Sequence, residues 1–433
     1  MGEGRVTAAD RKRVDGTGID RAAVQRRSLR ILVLSQVLSG AGLAAGVTVG
    51  ALLGEDILGS TRFSGLPAAL LTLGSAAAAL LVGMVSDRHG RRPGLALGYC
   101  AGAVGGVGVA TAAVVDSPSL LLVSLLVYGA GSATNLQARY AGGDLAALGG
   151  RGTAISTVLV ATTIGAVAAP NLVGPTGGIA ESFGIPVLAG PFVLAAIAYG
   201  LAAAVLITWL RPDPLLTARA LAGQQALLQP PGQTGPAPVL DLAAVRLGGL
   251  TMVVTQVVMI AVMTMTPVHM RDHGHGLGAI GLVISLHIAL MYLPSPITGR
   301  LADRYGPRPV IALGGLALLA AGLLAGAAPE DSVVLLTVAL ALLGLGWNLG
   351  LLGGTTLVAA AVPLDGRARV QGRVDVAVAL GGATGGLSGG LVVASTSYAT
   401  LAVGGGVLAL AVLSVALRPS RTPSPADVEV DAG

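Results

Sequence analysis

Stretches of about 20 mostly apolar residues, the length that crosses a bilayer as an α-helix, recur along almost the whole chain. Twelve can be placed, at 31–53, 66–86, 94–115, 119–138, 153–180, 188–210, 242–270, 277–299, 309–328, 332–358, 374–396 and 398–417. Such a pattern excludes a water-soluble domain. Only 11% of the 433 residues are charged and 53% are apolar, against roughly 25% charged in an average soluble domain, so a hydrated surface cannot be assembled from this chain. The expected fold class is an all-α membrane protein with twelve transmembrane helices.

The charges orient the helices. Residues 1–30 hold eight basic residues and no apolar core, and read as a basic cytoplasmic tail rather than a secretory signal. With that end inside, 24 of the 26 basic residues fall in cytoplasmic segments, and only Arg62 and Arg271 lie outside. Both termini are therefore expected in the cytoplasm. A pI near 9.8 reports this topology and not nucleic-acid binding, because the charge is spread over short loops. Twenty-five of the 26 are arginine, which suits a GC-rich bacterial genome and hence a bacterial inner membrane. The single cysteine, Cys100, lies in the third span, so no disulfide is expected.

An internal repeat divides the chain. Gly83–Arg92 reads GMVSDRHGRR and Gly299–Arg308 reads GRLADRYGPR, setting Asp87 and Asp303 216 residues apart, about half the chain. The same offset relates Arg151 to Arg367 and Gly165 to Gly381. Two pseudo-symmetric six-helix bundles follow, at 31–210 and 242–417, joined by a linker at 211–241 in which Pro212, Pro214, Pro230, Pro231, Pro236 and Pro238 sit among Gln and Gly. Residues 418–433 read as a second cytoplasmic tail.

The pattern G-x-x-x-D-R-x-G-R-R between the second and third spans, with its degenerate copy between the eighth and ninth, resembles the signature loop of the major facilitator superfamily. The resemblance implies a secondary transporter that rocks two halves around a central substrate. It also implies that the loop aspartate caps a helix end and pairs with arginine to latch the halves on the cytoplasmic side. Asp87, Arg88, Gly90, Arg91 and Arg92 match fully, and Asp303, Arg304, Gly306 and Arg308 match in the second copy. Pro307 stands where a basic residue is expected, so the second latch is expected to be the weaker. Glycines at Gly42, Gly46 and Gly50, and at Gly346, Gly350 and Gly354, form one smooth ridge per helix, suited to close packing or to sliding. No phosphate loop, metallohydrolase helix or nucleophile elbow occurs, so an enzyme or an ATP-driven pump is not expected and no cofactor is called for.

What is carried must be sought in polar groups within the spans, where an ionisable side chain is costly and usually functional. Arg246, His269 and Asp375 lie near span ends, which leaves His287, about halfway along the eighth span. Four of the five histidines and six of the eight methionines fall between residues 252 and 291. Thioether sulfur and neutral imidazole suit Cu(I). Met259 and Met263 are one helical turn apart, as are His287 and Met291, and a hairpin turning near residue 273 would set Met259 and His287 at similar depth. His269, Met270, His273 and His275 would then collect metal at the outer mouth. The competing reading is an ordinary core of methionine with one hydrogen-bonded histidine.

The M-x-x-x-M and H-x-x-x-M pair resembles the CcoA-like branch of the superfamily, bacterial copper importers associated with cytochrome oxidase assembly, although that branch also uses cysteines and this chain has only Cys100. Riboflavin importers are related to it. The leading expectation is thus a copper importer, with copper as substrate. An alternative is an importer of an organic solute such as riboflavin, held by Asn135, Gln137, Trp347 and Asn348. A third is a proton-coupled exporter, suggested by Gly174–Gly178 (GPTGG) in the fifth span; without an acidic residue deep in any span, its proton relay is hard to place. The partners expected are the lipid bilayer and a small solute, with no nucleic acid and a monomeric chain.

Overall fold

The computed structural model describes residues 20–58, 66–228 and 239–416. The tail residues 1–19 and 417–433, and the linker prolines Pro230, Pro231, Pro236 and Pro238, lie outside the described residues. Among the described residues there are only helices and short turns. In chain order they are α1 (Arg21–Leu58), α2 (Leu66–His89), α3 (Arg91–Val114), α4 (Pro118–Gly143), α5 (Arg151–Ser182), α6 (Gly190–Trp209) and α7 (Pro214–Leu228). They continue with α8 (Leu242–Asp272), α9 (Leu277–Tyr292), α10 (Ser295–Tyr305), α11 (Pro307–Ala327), α12 (Val333–Ala361), α13 (Arg367–Ser395) and α14 (Tyr398–Ala416). Nine helical stretches among the described residues are long and apolar enough to cross a membrane, and α1, α5 and α14 occupy the other three expected positions.

Two boundaries differ from the sequence-based expectation. The first helix begins ten residues inside the expected tail, because the Asp20 carboxylate accepts a hydrogen bond from the Ala23 amide and caps a run of good helix formers. The linker is not all loop, since α7 occupies Pro214–Leu228. Its prolines flank the LLTARALAGQQALL segment instead of interrupting it, and Pro214 sits in the first turn where its missing N–H costs nothing.

The eighth span is two helices. Pro294 has no N–H to donate, and the helix breaks between Tyr292 and Ser295. Asn348 of α12 repairs the break by donating to the Met291 carbonyl (2.7 Å) and the Ser295 hydroxyl (2.7 Å), while Thr298 donates to its amide oxygen (2.7 Å). A broken helix at membrane depth persists only when its freed backbone groups are satisfied in this way.

Each half has its own apolar core. Leu32, Leu95, Tyr99, Tyr128, Phe192 and Tyr199 belong to the first, and Met252, Val258, Met259, Leu318, Leu340 and Trp347 to the second. Helices in lipid gain little from hydrophobic burial against one another, so close packing must hold them. Here glycine permits it. A Cβ on Gly74 of α2 would lie 1.8 Å from the Leu126 carbonyl of α4, and one on Gly129 would lie 2.3 Å from the Leu71 carbonyl. The tenth-span ridge is packing of the same kind: Gly346 abuts Leu318, Gly350 abuts Thr255 and Gly354 abuts Met252, all within the second half. Gly42 abuts the Tyr199 ring, and what Gly46 and Gly50 face lies outside the described residues.

The repeat is visible in three dimensions. Gly165 of α5 packs against Gly40 and Ala41 of α1, and Gly381 of α13 packs against Val253 and Val257 of α8. The halves meet where α2 crosses α13 and where α5 crosses α9 and α10.

Candidate functional site

The basic-loop end of the molecule is closed by bonds between the halves. Asp87, at the end of α2, accepts from Arg369 of α13 (3.1 Å) and from Arg219 of the linker helix (2.7 Å). Arg219 also donates to the Asp87 and Leu364 carbonyls, so α7 is stapled across both halves. Arg91 is buried between Asp144 (2.7 Å) and the Gln371 amide oxygen of α13 (2.5 Å). Gly90 holds φ at +96°, and a Cβ there would strike the Asp213 carboxylate, which accepts from the Arg92 amide. Arg92 also donates to the Ile207 carbonyl near the end of α6. Arg88 is exposed.

The second copy keeps the helix cap of the expectation without the arginine pair. Its Asp303 caps the N-terminus of α5, accepting from the Gly152 amide (2.6 Å), the Thr153 amide (2.8 Å) and the Thr153 hydroxyl (2.6 Å). Among the described residues no arginine pairs with Asp303, in line with Pro307 standing where a basic residue is expected; the proline opens α11. Gly306 has φ +87°, and Arg304 lies exposed over the Tyr305 ring. Arg308 is half-buried at the start of α11.

Deeper in, a second ion pair joins the halves. Arg139 of α4 donates to Asp375 of α13 at 2.8 Å, with side chains 0% and 5% exposed. Arg139 also donates to the Thr355 hydroxyl (3.0 Å) and to the Leu136 carbonyl, and Tyr140 lies beside the pair. The second Asp375 oxygen has no partner. Counting Arg139 to a loop and Asp375 to an interfacial span end is thereby corrected. Both sit inside helices, and α4 runs five residues past the apolar window that ended at 138. A buried carboxylate therefore does exist at the interface between halves, and the objection to a proton relay loses its basis. Opposite charges at the ends of two apolar windows were the signal available in the sequence.

The polar residues expected to line a cavity separate into two groups. Asn135 is locked inside the first half, donating to Ser39 (2.9 Å) beside Gln36, Thr162 and Tyr99. Asn348 repairs the eighth span, as described above. Gln137 donates to the Ala79 carbonyl (2.7 Å) and its oxygen has no partner. Trp347 donates its indole N–H to Gln256 of α8 (2.7 Å) and packs edge-on against Tyr292 at 5.6 Å. Gln256, half-buried, was missed by sequence reasoning because an amide among apolar residues carries no pattern of its own.

The Met and His residues are placed within the second half. Met259 (2% exposed), His287 (0%) and Met291 (7%) are buried, and Met263 packs at the core's edge. The expected direct hairpin is not what forms: α8 and α9 touch sparsely, and α12 packs against both. His287 donates from Nδ1 to the Leu340 carbonyl of α12 (2.8 Å), leaving Nε2 without a partner. A Cβ on Gly344 would meet the His287 carbonyl at 2.4 Å, so glycine brings these two helices together.

At the opposite end, His269 stacks on Tyr398 at 4.3 Å, and its ring lies 4.4 Å from that of His273. His273 donates from Nδ1 to the His269 carbonyl (2.7 Å), and His275 donates to the Glu330 carbonyl (2.8 Å). Met270 is fully buried beneath them, not at the mouth. Among the described residues, no three His, Cys, Asp or Glu side chains converge on a point where a metal ion would sit.

Comparison with known proteins agrees with this architecture. The chain is 51% identical to the uncharacterized MFS-type transporter YdeG of Bacillus subtilis over 397 residues, covering 91% of this chain and 92% of that one. It is 30% identical to the riboflavin transporter RfnT of Brucella anthropi over 358 residues, covering 82% and 86%. Among solved structures, the human organic anion transporter MFSD10 superposes with a TM-score of 0.74 at 18% identity, covering 90% of this chain and 99% of that one. The proton:xylose symporter XylE superposes with a TM-score of 0.71 at 17% identity, covering 91% and 95%. The family model described as Major Facilitator Superfamily matches residues 32–291 and 247–432. With both halves matched, the chain belongs to the major facilitator superfamily, a family of transporters and not of enzymes.

Proposed function

We propose that this transporter imports a flat organic solute of the riboflavin class, and that the bonded end faces the cytoplasm, so that the present state is open to the outside. The basic loops at the bonded end support that orientation. Alternating access requires the solute to lie between the halves, near the midplane. The observation that carries the solute class is Gln256, fixed by Trp347 and backed by Tyr292, which offers an amide beside an aromatic wall. Heteroaromatic rings with ring N–H and C=O groups need that combination of stacking surface and amide. The 30% identity to a riboflavin transporter supports the same reading.

Labelled riboflavin uptake by a riboflavin-requiring strain tests it. Expression should restore uptake, Gln256→Ala should lower it about tenfold, the cost of one hydrogen bond to a bound solute, and His287→Ala should leave it within twofold. Failure of expression to raise uptake would refute the reading.

Copper remains the second reading because of one observation. The Leu340 carbonyl fixes the His287 tautomer and leaves Nε2 as a bare acceptor in an apolar core, which is how proteins orient a ligating imidazole. Its weakness is burial, since His287 and Met259 are 0% and 2% exposed, whereas Gln256 is half-buried. Cells expressing the chain should then accumulate radioactive copper, and His287→Ala or Met259→Leu should abolish the gain with the protein still in the membrane.

A further inference from the structure

Several arginines at the basic-loop end have partners: Arg91 on Asp144, Arg219 and Arg369 on Asp87, Arg139 on Asp375, Arg151 on the Ala359 carbonyl and Arg367 on the Val362 carbonyl. Others, among them the exposed Arg88, Arg211, Arg246, Arg300 and Arg373, make no hydrogen bond or ion pair among the described residues, and three more are gathered at one place. Arg26, Arg27 and Arg30 make no hydrogen bond or ion pair among the described residues, yet they stand on one face of α1 at i, i+1 and i+4. With Ala23, Ile31 and Trp209 they line an open surface cavity of about 480 Å³ between the first turns of α1 and the last turn of α6. Among the described residues no carboxylate lines it. Three cations held close together repel one another, and an anion between them relieves that repulsion.

The surroundings identify the anion's source. Trp209 is 53% exposed at the last residue of α6, the level at which tryptophan marks the boundary between headgroups and hydrocarbon. Below the cavity the surface turns apolar: Leu34, 40% exposed, lies one turn deeper than Arg30 on the same face of α1, and Leu201, 50% exposed, lies two turns deeper than Trp209 on α6. A soluble anion has no use for that track, whereas a phospholipid fills both parts, phosphate above and acyl chain below. We propose that this cavity binds the headgroup of an anionic phospholipid, such as phosphatidylglycerol, with an acyl chain along Leu34 and Leu201. The site is formed by two helices of one half, α1 and α6, and takes no residue from the other half. It gives the extended start of α1 a purpose, because only the turns beyond the apolar span carry the three arginines to headgroup level.

The chain has two tryptophans, so Trp347→Phe leaves Trp209 as the single reporter. The full-length protein is reconstituted in phosphatidylcholine vesicles containing a minor fraction of either acyl-brominated phosphatidylglycerol or acyl-brominated phosphatidylcholine, and quenching of Trp209 is read. Brominated phosphatidylglycerol should be enriched beside Trp209 roughly tenfold over its bulk fraction. Changing Arg26, Arg27 and Arg30 together to alanine should bring the enrichment to about one, and changing all three to lysine should retain most of it, which separates loss of charge from loss of fold. Equal quenching by the two lipids, or selectivity that survives the alanine variant, overturns the proposal. So does displacement of the brominated lipid by millimolar inorganic phosphate, which would make the cavity a soluble-anion site.

Discussion

Replacing Asp303 with alanine should open the bonded end of the transporter, and the size of the effect can be worked from the structure. Asp303 accepts three hydrogen bonds from Gly152 and Thr153 across the boundary between halves. When the halves part, water takes over these partners, so only the net value of charge-assisted bonds counts. Loss of a capping carboxylate costs about 0.5–2 kcal/mol, and a hydrogen bond to a charged group is worth about 1.5–3 kcal/mol net. Taking about 2 kcal/mol, the ratio of closed to open molecules should fall roughly 30-fold. Asp303→Asn keeps an acceptor oxygen and should fall less, by roughly tenfold. The assay is the distance distribution between spin labels at Arg88 and Tyr305, both exposed at the bonded end, in protein whose exposed Cys100 has been changed to serine. Unchanged distributions in Asp303→Ala would show that the cap does not hold the halves, and the closure would have to be assigned to the Asp87 and Arg91 contacts alone.

The buried pair gives a second test: Arg139→Met or Asp375→Leu alone should lower stability in detergent by about 3–5 kcal/mol by stranding a charge, and the double variant should recover most of the loss. Thermal unfolding followed by light scattering reads it, and equal losses in single and double variants would contradict the pairing. Gly74→Ala should cost at least about 1–3 kcal/mol, because the added methyl meets a backbone carbonyl that cannot move aside, whereas Gly178→Ala, with open space around it, should be within about 0.5 kcal/mol of the parent. Asn348→Leu should strand the Met291 carbonyl and Ser295, lowering stability by about 1–3 kcal/mol; unaltered melting would show that Asn348 is free to serve the cavity after all.

Hydropathy and the repeated loop were enough to read the twelve-span architecture, because lipid demands long apolar helices and the positive-inside bias orders them. The details that escaped were those in which one side chain changes a helix's behaviour. Asp20 extends α1, Pro294 splits the eighth span, and Arg139 is carried into a helix by a partner 236 residues away. The candidate site was only partly legible for a related reason. Spacing places Met259 and Met263, or His287 and Met291, on one face of a helix, but it does not say which helix that face meets. Gly344 settles this for His287, and its neighbour turns out to be α12 instead of α8. Asn135, Asn348 and Trp347 look equivalent as polar or aromatic intruders in apolar runs, yet two of them repair backbone or join a network within one half and one positions Gln256. Function had to be read from what each polar atom bonds.

At the two crossings between halves, α2 against α13 and α10 against α5, the contact is nearly smooth. Gly83 faces the Ala368 carbonyl and Gly372, and Gly299 faces the Gly152 carbonyl and Ser156. At these glycines backbone meets backbone, with small side chains such as Ala78 and Ala79 against Val376 beside them. Much of the barrier to reopening then falls on a few discrete bonds at Asp87, Arg91, Arg139 and Asp303, of which the buried Arg91 and Arg139 pairs meet water only once the halves part. Turnover in such a molecule is tuned by single polar substitutions at these bonds, and because the Arg91 and Arg139 pairs are buried, it should depend only weakly on ionic strength.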